Sequence, residues 1–524
     1  MSIHQPQQPT SQGLSGTYLS NSPSATTPPA PRPSKPCNAN MIRGAILAHY
    51  RVVTDHHGVF YLLPHLGGFP LLMEPELIAP EIKRLVANLC NRDVSDGSVR
   101  SALEIMRVEL THGYHVANGR TWLGVNGERY FLLNSAVWML NPGQENAMIV
   151  QQPPHCWQPT NSCCYWTGHL QGPSAWCAGN IRLFAEHLRL PIERELLLFT
   201  FMVLTLMPER EQLALELTGE SSSGTTRLLW VMKHLVDPCV RDELIRQHPT
   251  TVKALDTLAW QHHALALDNV EAPLPEAVQR RMFELLNEAP LVWGDGRKGT
   301  WSSRLMVKRS VLFSAQTPVV THRELRSRIL SLEVPPLDTD DDSWPLGIDP
   351  HHRISLGNYD LAMIRSGILS LMYNAHAQID QLILGRRVPE GWRDFCRVGA
   401  IVSQALHGNE QPFWAQYEAY RHERDCELIE EDPVASAIVQ YFDHRDEKGV
   451  LEKPVGDWLN VLEQHRPAWA TARDWPQSPK GMGAAFKRVA PLLRTQGFIC
   501  NNNGKRGHAC YCSIGPQGIA SRHF

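Results

Sequence analysis

Near the middle of the chain apolar residues fall on every second position, at Leu213, Leu215 and Leu217. That period predicts a short buried strand. It gives way to a polar loop bracketed by Gly219 and Gly224, and from Thr226 to Val236 apolar residues return at helical spacing. Short apolar runs predict two more strands, Ala264–Leu267 ending in Asp268 and Asn269, and Ser310–Phe313 ending in the polar Ser314. Helices are expected at Val252–Trp260, over 274–288 and, briefly, at Glu324–Arg328, while 191–207 is apolar enough for a core helix just before the first strand. Strands alternating with helices imply an α/β fold around a parallel sheet.

The flanks have other rhythms. Residues 46–64 read as a hairpin turning at His56–Gly58, 79–93 and 95–113 as helices, and 122–134 as a second hairpin turning at Asn126 and Gly127. From His352 to Phe442 the pattern is helical, and Trp414, Tyr417 and Tyr420, spaced by three, read as a buried helix face. The chain then offers a helix from Val455, a second helix opened by Ser478 and Pro479 and closed by Gly497, and a hairpin whose turn carries Lys505, Arg506 and His508. The expected domains are a Pro/Ser/Thr-rich disordered tail (1–38), an N-terminal α+β domain (39–165), the strand–loop–helix core (166–337), a helical domain (338–450) and a terminal helix–helix–hairpin unit (451–524).

Composition narrows the classes. A chain of 524 residues has room for about three domains, and its net charge of -3 excludes a globally basic nucleic-acid coat while leaving room for a local basic patch. No apolar run is long enough to span a bilayer, and the N-terminus lacks the pattern of a secretory signal, so a cytoplasmic protein with no membrane partner is expected. The twelve cysteines are accordingly read as thiols. His155, Cys156, Cys163 and Cys164 lie close in sequence, but without Cys-x-x-Cys spacing they do not make a zinc site; Cys500, His508, Cys510 and Cys512 are read as hairpin neighbours.

The loop carries the candidate chemistry. In the template G-x-x-x-x-G-K-[ST], backbone N–H groups and a helix N-terminus face phosphates, a lysine reaches the outer phosphates and a hydroxyl holds magnesium. Here Gly219, Glu220, Ser221, Ser222, Ser223 and Gly224 form the loop, Thr226 supplies the hydroxyl and Arg227 follows it. Thr225 stands at the lysine position. An acidic residue ending a neighbouring strand would share the magnesium, and Asp268 is so placed.

The order of LTGESSSGTT, ALALDNV, SVLFSAQTPVVTHRELRSRILSLEVPPL and WPQSPKGMGAAFKRVAPLLRTQGF resembles bacterial and prophage ATP-binding proteins akin to the primase-helicase ATPases of phages and mobile elements, which are AAA-type and superfamily-three-like. Gly219, Gly224, Thr226, Asp268, Asn269, Leu325 and Arg328 match that family's pattern; Thr225, Ser314, His322 and Ser327 depart from it. The resemblance implies a P-loop AAA-like core, a helical lid and a C-terminal winged helix. It further implies ATP and Mg2+ as cofactors, Thr226 and Asp268 on the metal, and Asp268, Asn269 and Arg328 as catalytic groups, Arg328 serving a neighbouring subunit of a homo-oligomer. DNA is the expected partner, met by Lys480, Lys487, Arg488, Arg494, Lys505 and Arg506. With the lysine missing, ATP is expected to bind weakly or without hydrolysis. The alternative is a catalytically inactive DNA-binding or scaffold protein that keeps only the fold.

Overall fold

The computed structural model describes residues 37–516 apart from 55–59, 67, 91–92, 109–116, 134–135, 142–146, 152–153, 155–156, 159, 161–175, 189–192, 222, 240–243, 294–302, 336–357 and 445–448. Residues 1–36 of the expected 1–38 tail and His155, Cys156, Cys163 and Cys164 lie outside the described residues; Cys37 is buried and Asn38 caps the first helix, so these two belong to the fold.

Four parallel strands form the central sheet, in the order Ala264–Leu267, Ser310–Ala315, Ala214–Thr218, Ile329–Glu333. The run ending in Ser314 is thus inserted between the loop strand and the acid-bearing strand, with Leu217 opposite Ser314 and Leu267 opposite Phe313. Burial on both faces explains why these segments are almost wholly apolar. Leu215, Leu217, Ala266, Leu312, Leu330 and Leu332 join a core with the helix Glu195–Thr205, buried from Leu196 on, and the loop helix Thr225–Val236. The alternate residues Leu265, Leu267, Val311 and Phe313 pack on the other side against Val252–Gln261 and Glu276–Leu286. Glu216 is the polar exception on the loop strand, and it is satisfied: its carboxylate accepts from the Val319 N–H and the Ser331 hydroxyl, both at 2.8 Å.

Upstream, the hairpin expected from residue 46 begins only at Tyr50, where Tyr50–Thr54 pairs antiparallel with Phe60–Pro64. Ala39–His49 is a helix, because the Asn38 side chain caps the Met41 N–H and Ile42, Ala45 and Ile46 lie on one buried face. Helices Pro75–Cys90 and Asp96–Val108 follow, then an antiparallel sheet of Thr121–Leu123, Arg129–Leu133, Ala136–Leu140 and Met148–Val150.

Downstream, helices Asn358–Gln378, Arg393–His407 and Gln411–Glu431 pack on the core helix Glu195–Thr205, with Trp414, Tyr417 and Tyr420 buried as their spacing predicts. Tyr420 also closes an edge. Its hydroxyl donates to Ile329 O and accepts from the Ser331 N–H, each at 3.1 Å, on the outer side of the last strand. The terminal unit contains helices Val455–Glu463 and Pro479–Thr495 and a three-stranded antiparallel sheet ordered Leu451–Pro454, Ala509–Pro516, Phe498–Arg506. Its apolar cluster also takes in the preceding helix Pro433–Asp443.

A buried charge network ties the loop helix to the N-terminal part. Asp237, at the end of that helix, accepts from Arg120 at 3.0 Å, from Lys233 Nζ, and from the backbone N–H groups of His263 and Ala264 at 2.9 and 3.1 Å. Burial alone would raise the Asp237 carboxyl, but Lys233 and Arg120 outweigh it and hold it well below the usual range. Burial pulls His262 down to about 4, helped by Lys233, and His263 down to about 3 against the opposing pull of Asp237. Both imidazoles are therefore neutral when folded and take up protons more readily when unfolded. The unfolded chain binds more protons between pH 6.5 and about 4, so stability falls with pH through that window. The expected slope is roughly 1.4 kcal/mol per pH unit for each histidine. Urea midpoints at pH 7 and 4.5 measure it; an unchanged midpoint would contradict neutral buried imidazoles.

Candidate nucleotide loop and basic helix face

The loop leaves its strand through Gly219, where a side chain has no room: an added Cβ would lie 2.5 Å from Ser223 Oγ and 2.8 Å from Val334 O. Gly224 enters the helix at φ +85°, a left-handed conformation that favours glycine. The two glycines of the template are thus both required by the backbone. Ser223 donates its N–H to Glu220 O at 3.1 Å, closing a turn within the loop, and Ser221 Oγ accepts from Gln316 Nε2 at 3.1 Å. Ser222 lies outside the described residues.

Asp268 is where the strand order puts it, at the foot of the loop helix. Its Oδ1 accepts from Thr226 Oγ1 and from Ser314 Oγ, both at 2.8 Å. Ser314 in turn accepts from the Asn269 N–H at 2.8 Å, and Asn269, at φ +54°, turns its own side chain toward Glu271. Two residues escaped the sequence reading: Arg246 Nε lies 3.7 Å from Asp268 Oδ2, and His248 Nε2 donates to Asp268 O at 2.8 Å. They come from the irregular segment beside the acid strand, where Ile245 bridges Leu267, and no period marks such a segment.

Two hydroxyls on a buried carboxylate are a donor set suited to a hard divalent cation. The phosphate side is different. Thr225 is uncharged, and Arg227 is half-buried, with burial drawing its guanidinium down to about 10. Beyond the loop lip opens a cavity of about 680 Å3 walled by Glu220, Glu333, Glu427, Glu430 and Glu431, with Trp469 exposed at its side. Glu427 and Glu431 pair with Arg424 and Arg326, at 2.7 and 2.5 Å, and Glu220, Glu333 and Glu430 oppose a polyanion. Arg328 is held inside its own chain, donating to Gly391 O at 2.5 Å and to Asn287 Oδ1 at 2.8 Å.

The terminal unit gathers the other predicted residues. Helix Pro479–Thr495, capped by Ser478, carries no Asp or Glu, and Lys480, Ala484, Lys487, Pro491 and Arg494 form one exposed stripe along it. Lys505 is exposed on the hairpin. Arg488 and Arg506 are engaged elsewhere: Arg488 pairs with Asp432 at 2.9 Å, and Arg506 with both oxygens of Glu452 at 3.0 and 3.1 Å. The stripe and the hairpin lie within a segment that comparison with known families recognises.

Residues 434–517 match the family described as AICE RepA C-terminal domain. The RepA-type segment begins at the helix Pro433–Asp443, which its apolar cluster also includes. The chain thus resembles the AICE RepA family over its C-terminal segment. Among solved structures it is similar to the SCCmec type IV Cch active helicase, at 12% identity, covering 90% of this chain and 94% of that one with a TM-score of 0.42. The apo NrS-1 C terminal region is similar at 10% identity, covering 91% of this chain and 98% of that one, with a TM-score of 0.35. No curated protein sequence matches. Among the described residues no helix is long and apolar enough to cross a membrane.

Proposed function

We propose that the protein acts in DNA replication or maintenance of a mobile element, contacting DNA through its RepA-type C-terminal segment used as a winged helix. The observation that carries this reading is the acid-free stripe of Lys480, Lys487 and Arg494 on an exposed helix beside a hairpin bearing Lys505. Helix, helix and hairpin in this order present the second helix to a DNA groove and the hairpin to the backbone. In a chain of net charge -3 such a stripe is a local phosphate-binding surface. Replacing Lys487 and Arg494 together by alanine should weaken binding to unrelated duplexes alike and lower the slope of log K against log salt by about 2. Fluorescence anisotropy over a salt series measures this. An unchanged slope would assign the face to a protein partner.

The core is proposed to be a phosphate-loop module that keeps its metal side and has lost the charge on its phosphate side. Thr226, Asp268 and Ser314 are the residues that would hold Mg2+, which when bound would bridge and neutralise phosphate oxygens. With Thr225 uncharged and the acidic cavity at the lip, ATP would bind weakly and turn over little or not at all. Thr225→Lys is therefore expected to raise affinity for ATP with magnesium about tenfold, the worth of one charge-assisted contact to phosphate. Titration with a fluorescent ATP analogue tests it, and equal affinity of the two proteins would remove the loop from the nucleotide reading. A ring in which Arg328 serves a neighbour would require that guanidinium to leave Gly391 and Asn287.

A further inference from the structure

Between the basic helix and the hairpin lies a cavity of about 250 Å3 that the charge stripe alone does not explain. Its floor is apolar and soft: Val455, Phe486, Ala490, Cys500 and Cys512 are all buried there. The Cys500 thiol donates to Phe486 O at 3.7 Å, holding strand to helix at the bottom. The rim is polar and cationic, formed by Lys487 and Arg494 on the helix and Asn502 on the strand, all exposed; Asn501, paired with Ser513, turns its side chain to the other face of the sheet. Among the described residues no acidic side chain lines it. Asn502 Oδ1 accepts from the Gly504 N–H at 2.9 Å, which leaves its NH2 group available. Arg494 spends its Nε on Ala490 O at 3.2 Å, turning the rest of the fork outward.

We infer that this cavity receives one unpaired base of a DNA strand whose flanking phosphates lie on Lys487 and Arg494. This deepens the DNA reading above and rests on it. The apolar floor suits the ring of a base, and the Asn502 amide can pair with the edge of a base no longer engaged with its complement. The cations sit at the mouth and not on the floor, so the charged part of the ligand stays outside while its apolar part enters. A free phosphate would gain nothing from Val455, Phe486 and Ala490. A fully paired duplex presents no base that could enter. The terminal unit thus has two modes, a sequence-tolerant grip on backbone along the stripe and an added grip wherever a strand is locally open.

The test uses the full chain and three fluorescein-labelled duplexes that differ at one position: fully paired, with a single extruded thymine, and with an abasic site in place of that thymine. The extruded base should bind about tenfold more tightly than the paired duplex, in line with the usual worth of one accommodated base, and the abasic duplex should lose that gain. Ala490→Leu, which fills the floor, and Asn502→Ala, an exposed change that leaves the core untouched, should each reduce the preference toward unity while affinity for paired duplex stays the same. Equal binding of all three duplexes, or a preference that survives both substitutions, overturns the inference and leaves the backbone reading standing. Failure to bind any of the three overturns both.

Discussion

An Asp237→Ala chain is expected to lose about 3–5 kcal/mol of folding stability, the cost of leaving buried charge without its partner. The carboxylate is fully buried and is the common acceptor for Arg120, Lys233 and two backbone N–H groups at the start of the acid-bearing strand. Without it two cations face each other in the interior, and Lys233 keeps only Ala264 O at 2.8 Å and the His262 ring at 3.4 Å. Asp237→Asn separates the charge from the hydrogen bonds, and it should fall between alanine and the native chain. Urea unfolding followed by tryptophan fluorescence gives the comparison, with exposed Asp457→Ala as control. A loss below 1 kcal/mol for Asp237→Ala would mean that the network is solvated. The same cluster also disposes of a metal reading for Asp237, Cys239 and His262, whose ligand atoms converge within 4.8 Å. The Lys233 ammonium already occupies that neighbourhood, and the Cys239 thiol, pushed up to about 12 chiefly by burial, is not a ready ligand.

Gly367→Val should cost roughly 3 kcal/mol, at the upper end of ordinary overpacking, because the atoms it meets cannot step aside. Helix Asn358–Gln378 crosses the 3-10 turn Ala178–Ile181 at this glycine, and even a Cβ would lie 2.5 Å from Ile181 N and 3.1 Å from Asn180 C. Both are backbone, so no rotamer change relieves the contact. The helix must lift, and the 2.8 Å hydrogen bond from Asn180 Nδ2 to Ser366 Oγ goes with it. The substitution lies far in sequence from the basic stripe, so duplex affinity at low temperature should be retained while the urea midpoint drops. A native midpoint would show that this crossing is loosely packed.

What could be read from the residues follows from which features repeat locally. The strand, loop and helix around Gly219–Thr226, the run ending in Asp268 and the helix opened by Ser478 all have short-range signatures, either a period or a cap. Ala39–His49 was obscured because its apolar residues run directly into a strand, and the deciding signal was a single asparagine at its start. Partnerships across the chain have no such signature. Nothing near residue 120 announces Asp237, and nothing near Arg328 announces Gly391, an approach possible only because Gly391 lacks a side chain and adopts φ +83°. Among the basic residues of the terminal unit, sequence could not separate Lys487 from Arg506, because the Glu452 that holds Arg506 comes from another strand of the sheet.

The Tyr420 hydroxyl, bonded to the backbone of Ile329 and Ser331, has a consequence for self-association. An open sheet edge is a template on which a second chain can add a strand, and natural proteins guard such edges. Here the guard is one phenol delivered by a helix about ninety residues further along the chain. While that helix is docked, a second chain cannot add a strand at this edge. If it undocks, the edge is bared at the moment an apolar core is exposed, so loosening of the helical part and aggregation should set in together.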